Sequence, residues 1–182
     1  MNGQVTLRPV MEDDLSWLAS LTSGPAATGP YEWHGWSDPQ GLGRSWAESG
    51  LLGDDGGVLI VLHGTDRVGV VDWRKVQTGR AASSWEIGIG LAREFRGRGY
   101  GSEAQQLLVR YLFAHTPVNR VEAITEIGNV AEQRALEKAG FTREGILRGR
   151  SFRQGRHRDD VIYSVLRDEV ELEDSASEDG LS

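Results

Sequence analysis

The sequence predicts an α+β domain built on a mixed, mostly antiparallel sheet flanked by helices. Three observations carry that prediction. Residues 58–62 and 68–76 are apolar, β-branched runs joined by a short turn, the pattern of an antiparallel hairpin. Residues 102–115 place Leu107, Leu108, Tyr111 and Leu112 at helical spacing between two further apolar runs, 85–91 and 118–127, so a core-packed helix crosses from one strand to the next. Residues 143–150 and 157–166 then close around Arg153-Gln154-Gly155-Arg156 as a final antiparallel pair. A chain of 182 residues, 38% hydrophobic and 26% charged, suits one such domain with a sizeable core.

The remaining elements follow in order. Residues 5–9 read as a first strand, and 11–21 as a helix with Leu15, Leu18 and Leu21 on one face. Residues 22–50 are rich in Gly and Pro and carry Tyr31, Trp33, His34, Trp36 and Trp46. Such a cluster is either a hydrophobic plug on the core or the wall of a pocket. As a wall, Trp33, His34 and Trp36 would bind substrate, since aromatic faces suit an amine through cation–π attraction. Residues 53–57 and 78–83 are turns, and 130–139 form a helix that Gly140 stops before Phe141.

Composition excludes several chemistries. There is no cysteine, hence no disulfide, thiolate metal site or cysteine nucleophile. The four histidines, His34, His63, His115 and His157, have no ligand spacing, so no metal is expected. Nothing near Met1 resembles a signal peptide, and no apolar run approaches the ~18 residues of a membrane span. A cytoplasmic location without a membrane partner is expected by default. The net charge of −7 is local: seven acids and no base follow Arg167, and the other 20 acids balance the 20 Lys and Arg. Residues 1–167 are therefore read as the domain and 168–182 as an acidic, disordered tail.

The chemistry gathers at residues 86–105, EIGIGLAREFRGRGYGSEAQ, where a strand runs through a glycine-rich arginine loop into a helix. Gly97, Gly99 and Gly101 let consecutive N–H groups turn onto one anion, the helix from Ser102 adds its positive dipole end, and Arg96 and Arg98 add charge. The ligand should carry a phosphate or pyrophosphate. A nucleoside-triphosphate P-loop needs a lysine that Gly101-Ser102-Glu103 lacks. A dinucleotide fold needs its strand to end at the first glycine, whereas Ala92-Arg93-Glu94-Phe95-Arg96 intervenes here.

Arg96-Gly97-Arg98-Gly99-Tyr100-Gly101 fits R/Q-x-x-G-x-G/A, and residues 129–141, NVAEQRALEKAGF, fit N-x-x-(S/A)-x-x-x-(Y/L/M)-x-K-x-G-F apart from Glu132 at the serine position. In that order and context the two motifs resemble the GCN5-related N-acetyltransferase (GNAT) superfamily across residues 5–167, closest to the ribosomal-protein alanine and serine N-acetyltransferase branch. The resemblance implies the acyl-CoA N-acyltransferase fold and an acetyltransferase. Acetyl-CoA would be the donor co-substrate, and the acceptor a primary amine, on a small molecule or a peptide N-terminus, that attacks directly. The backbone of Ile89, Gly90 and Leu91 would then meet the thioester and pantetheine. Arg96, Gly97, Arg98, Gly99, Tyr100, Gly101 and Ser102 would hold the pyrophosphate. Asn129 would contact the CoA arm or cap the helix that follows, roles that can coexist.

By the same resemblance Glu86 is the candidate general base, on a strand face it shares with the small Gly88 and Gly90. Two departures stand out: Leu136 occupies the usual tyrosine-acid position, and Glu132 the position of a serine. Tyr163 is the substitute candidate for the acid. Residues 143–158 hold six arginines and His157 against Glu144, yet no interleaved aromatics or recognition fold accompany them, so no nucleic acid is expected. Arg150 or Arg153 would instead position a substrate carboxylate. The alternative reading is a CoA-binding regulatory module without catalysis. Open strand edges permit a homodimer.

Overall fold

The computed structural model describes residues 4–172. Strand β1 (Val5–Pro9) leads through a 3-10 turn, Glu12–Asp14, into helix α1 (Leu15–Leu21). The helix expected over 11–21 is thus two pieces. Asp14 breaks it, because its buried carboxylate accepts from the backbone N–H of Met11 at 2.8 Å and pairs with Arg8 and Arg67. A short α2 (Pro25–Thr28) and α3 (Gly41–Ser49) occupy the aromatic segment. Strands β2 (Leu52–Gly53), β3 (Gly56–His63), β4 (Asp66–Gln77) and β5 (Ser83–Leu91) precede the glycine loop. Helix α4 (Tyr100–His115), β6 (Arg120–Glu126), α5 (Val130–Lys138), β7 (Thr142–Arg153) and β8 (Arg156–Leu166) complete the described chain.

The strands form one sheet in the order β1-β3-β4-β5-β6-β8-β7, with β2 added to β3. Only β5 and β6 run parallel among the described strands, because α4 carries the chain from one to the other. Alternation along β3 explains why both faces are covered: Leu59 and Val61 point to the α4 side, and Ile60 to the α1 and α3 side. The main core joins that first face to Leu108, Leu112 and Phe113 of α4 and Leu136 of α5.

The buried stripe of α4 is Ala104, Gln105, Leu108, Val109, Leu112 and Phe113, so Leu108 and Leu112 lie inside as expected while Leu107 is half-buried and Tyr111 exposed. The helix is apolar over more than one stripe, so periodicity alone leaves its rotation open. Arg167 donates to the carbonyls of Phe113 (2.6 Å), Thr116 and Val118, fastening the end of β8 to the end of α4. Val170 and Leu172 pack against the core, so the tail expected from Asp168 onward is anchored at its start. Residues 173–182 lie outside the described residues. No helix among the described residues is long and apolar enough to cross a membrane.

Candidate active site

The site begins where the sheet comes apart. β5 pairs with β4 at all nine of its positions, but with β6 only at Trp85, Glu86 and Ile87. Beyond Ile87 the parallel strands diverge, and the backbone from Gly88 to Leu91 has no strand partner on that side among the described residues. Two cavities of about 610 and 630 Å³ adjoin this gap and share Tyr31, Glu32, Ile89, Asn129 and Glu132 as walls.

The first cavity is lined by Ile89, Leu91, Arg96, Gly97, Gly99, Gly101 and Ser102, faced by Arg134 and Lys138 from α5. Gly97 and Gly99 adopt φ of +74° and +90°, left-handed values that a side chain resists, and Gly99 forms the N-cap of α4. Nothing lies within 4 Å of where a Cβ on Gly97 would sit. The loop therefore presents bare backbone and a helix N-terminus to an open space flanked by cations, which suits a diphosphate. Arg96 lines this cavity but spends its guanidinium on the carbonyls of Leu91 (2.9 Å) and Thr28 (3.0 Å), pinning α2 to the end of β5. Lys138 and Arg134 are thus the more available cations. Both fall within the second sequence motif, residues 129–141.

The second cavity is carboxylate-rich, with Glu32, Asp72, Glu126, Glu132 and Asp160 among its walls. Most of these have partners. Arg153 grips Glu126 through two hydrogen bonds of 2.5 and 2.8 Å and holds its carboxyl below the usual range, and Arg150 lies 3.2 Å from Asp160. Asp72 differs. It sits opposite Gly88 across β4 and β5, so close that a Cβ on Gly88 would lie 2.8 Å from its Oδ2. Burial raises its pKa above the ordinary carboxylate range, with Arg74 opposing the shift and Glu86 adding to it.

Burial likewise pushes Glu132 up to about 7, against a hydrogen bond donated by Gln105 and with help from nearby Glu32. The sequence alone does not single out Asp72. Its only local signal is a polar residue inside the apolar run VGVVDW, and its importance comes from cross-strand register.

The other expected residues divide clearly. Glu86 stands on the predicted face beside Asp72, but Arg74 binds its Oε1 and Arg150 approaches its Oε2 at 3.8 Å. Arg150 lines the second cavity while serving Glu86 and Asp160, so carboxylates of the chain itself occupy it. Asn129 lines both cavities and gives its amide N–H to Thr125 at 3.0 Å rather than capping α5 with its side chain.

The aromatic segment splits by residue. Trp46 is a plug that donates to the carbonyl of Val10, Tyr31 and His34 are walls, and Trp33 and Trp36 form an edge-to-face pair at 5.0 Å that lines neither cavity. Trp36 is 82% exposed, so the pair expected to bind substrate stands outside both cavity walls. Gly90, Arg98 and Tyr100 also stand off the cavity walls, Arg98 over the Phe95 ring and Tyr100 stacked on His63. Tyr163 is fully buried in the core, donates its hydroxyl to Glu137 and lines neither cavity, although its cross-strand partner Ala123 lines the second.

Residues 4–142 match the acetyltransferase (GNAT) domain family. YdaF of Bacillus subtilis, ribosomal N-acetyltransferase-like, is 36% identical over 69% of this chain and 62% of its own. An uncharacterized N-acetyltransferase, p20 of Bacillus licheniformis, is 35% identical over 60% of this chain and 61% of its own. The chain thus spans about three-fifths of the length of these curated relatives.

Among solved structures, spermidine N-acetyltransferase from Vibrio cholerae with CoA and spermine superposes with a TM-score of 0.79, at 20% identity, over 91% of this chain and 97% of its own. Mycobacterium smegmatis RimJ in complex with CoA-disulfide superposes with a TM-score of 0.76, at 22% identity, over 92% and 84%. At these identities the likeness is one of fold, a mixed, mostly antiparallel sheet flanked by helices. With a family match covering most of the sequence and the fold agreeing, the chain belongs to the GNAT acetyltransferase family, whose co-substrate is acetyl-CoA.

Proposed function

We propose that the protein transfers the acetyl group of acetyl-CoA to a primary amine by direct attack. The observation that carries this is the gap beyond Ile87, with a glycine-lined anion cradle on one side and a carboxylate-lined cavity on the other. The residues fit the donor: the cradle takes a pyrophosphate, the unpaired edge of β5 offers hydrogen bonds to the amides of an extended arm, and Lys138 and Arg134 supply positive charge. Bound acetyl-CoA supplies a thioester, already activated toward amines, so the protein needs no nucleophile of its own.

Asp72, rather than Glu86, takes the amine proton in this proposal. A general base gains from a pKa shifted upward toward working pH, and the Asp72 carboxyl is shifted in that direction. Glu86 is already bound by two guanidiniums. It keeps a supporting role, holding Arg74 and Arg150 and raising the basicity of Asp72. The carboxylate-rich wall favours an acceptor that arrives as a cation. One similar protein is a spermidine N-acetyltransferase and another is ribosomal N-acetyltransferase-like, so polyamines and peptide N-termini both belong among the acceptors tested.

The test is thiol release from acetyl-CoA across polyamines, amino acids, aminoglycosides and short peptides, with acetyl-CoA binding followed by calorimetry. Release with one cationic class supports the proposal and names the acceptor. Tight binding without release from any of them favours the regulatory alternative, and no binding removes the cradle.

A further inference from the structure

Glu132 occupies the third position of α5, where a glutamate ordinarily turns back to the N-cap N–H in a capping box. Here the N–H of Asn129 goes to the carbonyl of Glu126 at 2.8 Å instead. The Glu132 side chain is left to face inward, onto the wall shared by the two cavities. A thioester that joins a donor in one cavity to an amine in the other must lie at that wall.

Gln105 of α4, itself only 1% exposed, reaches across and donates to Glu132 Oε1. The carbonyl oxygen of the same Gln105 amide is buried without a hydrogen-bond partner among the described residues. A buried amide left half-satisfied is costly and calls for a reason. Holding a carboxyl at the junction supplies one.

Resting on the transfer reaction proposed above, we propose that Glu132 is the proton donor to the departing CoA thiolate. The acyl C–S bond breaks, its electron pair stays on sulfur, and the Glu132 carboxyl O–H passes its proton to that sulfur. The carboxylate left behind lies in the first turn of α5, where the free N–H groups and helix dipole favour negative charge, and it regains a proton from solvent between turnovers. The amine proton leaves separately, on the acceptor side at Asp72. Burial keeps Glu132 protonated to about pH 7, well above an ordinary glutamate. The neighbouring Glu32 pushes in the same direction and the Gln105 bond opposes it. Arg96, Arg134 and Lys138 share the donor cavity with it, and His34, Asp72 and Arg74 the acceptor cavity, so its titration will carry their influence. Leu136, one helical turn further along α5, is fully buried and carries no proton to give.

The experiment compares the wild type with Glu132→Gln and Gln105→Leu by three readouts. Carbon NMR of labelled glutamate carboxyls in the free protein should show one midpoint near 7 that vanishes in Glu132→Gln and moves upward in Gln105→Leu. Calorimetry should give CoA affinity within about twofold across all three, which also reports folded protein. The kcat profile of the wild type should fall on its basic side as Glu132 ionises. Glu132→Gln should lower kcat roughly tenfold or more and lose that limb, a modest loss because a thiolate with pKa about 8.5 leaves tolerably unassisted. All glutamates titrating below pH 5, or unchanged kcat in Glu132→Gln, overturns the assignment while the transfer reaction stands. A wild type that binds CoA but releases no thiol with any amine overturns the reaction itself, and the NMR midpoint then remains as a separate result.

Discussion

Replacing Asp72 by Asn tests which carboxylate takes the amine proton. Asn is isosteric with Asp, so the packing over Gly88, where even one added methyl would sit 2.8 Å from Oδ2, is preserved while the basic oxygen is lost. Removing a positioned base slows the chemical step by about 10²–10⁴, or roughly 3–5 kcal/mol of barrier. Asp72→Asn should therefore lower kcat/KM by at least a hundredfold, with acetyl-CoA affinity unchanged within about twofold. Glu86→Gln should behave differently. The Glu86 charge raises the pKa of Asp72, so removing it lowers that pKa and moves the acid limb of kcat/KM to lower pH, with most of kcat retained. The assay is kcat/KM by thiol release between about pH 5 and 9 for both variants, with calorimetry for binding. Asp72→Asn within threefold of wild type, or Glu86→Gln abolishing turnover while binding persists, would refute the assignment and return the base to Glu86.

Gly99→Ala should weaken CoA binding roughly tenfold by calorimetry, since a non-glycine residue at φ +90° costs about 1–2 kcal/mol. Gly101→Ala should leave unfolding nearly unchanged, because its Cβ would meet only Leu91 and Ile89 methyl groups at 3.5 and 3.7 Å. Asp14→Asn removes a fully buried carboxylate from Arg8, Arg67 and the Met11 N–H, and should cost about 2–4 kcal/mol in denaturant unfolding, lowering Tm by several degrees. Arg120 and Ser164 hold Glu144 down at about 2, so its stabilisation is present above the usual glutamate pKa and is lost as pH falls toward 2. Its partial exposure limits the effect: Glu144→Gln should cost no more than about 1 kcal/mol at pH 7, and the two unfolding curves should converge near pH 2.

The parts of the site legible in sequence are those made by contiguous residues. Gly97, Gly99, Gly101 and Ser102 reach one anion cradle because a strand, a turn and a helix start are local features. Asp72 was illegible for the opposite reason. It meets Gly88 only through antiparallel register, and nothing within VGVVDW says which residue of another strand lies opposite. Glu132 was visible as a departure from a motif, yet its motif position reads equally as a capping residue, and only the choice made by the Asn129 N–H separates the two. The arginine-rich hairpin misled in another way. Charge counted along 143–158 looks free, but Arg150 and Arg153 are engaged by Asp160, Glu86 and Glu126, which come from β8, β5 and β6. Trp33 and Trp36 show the same limit, since aromatic composition marks a segment without saying which rings turn inward.

The early parting of β5 from β6 also bears on solubility. Unpaired strand backbone normally belongs to the rim of a sheet, where it invites another chain to add on and aggregate. Here it lies in the interior, with the covering segment tied down where Tyr31 donates to the carbonyl of Gly128 at 2.7 Å. Backbone that would be sticky at the periphery of a sheet thus lies in its middle.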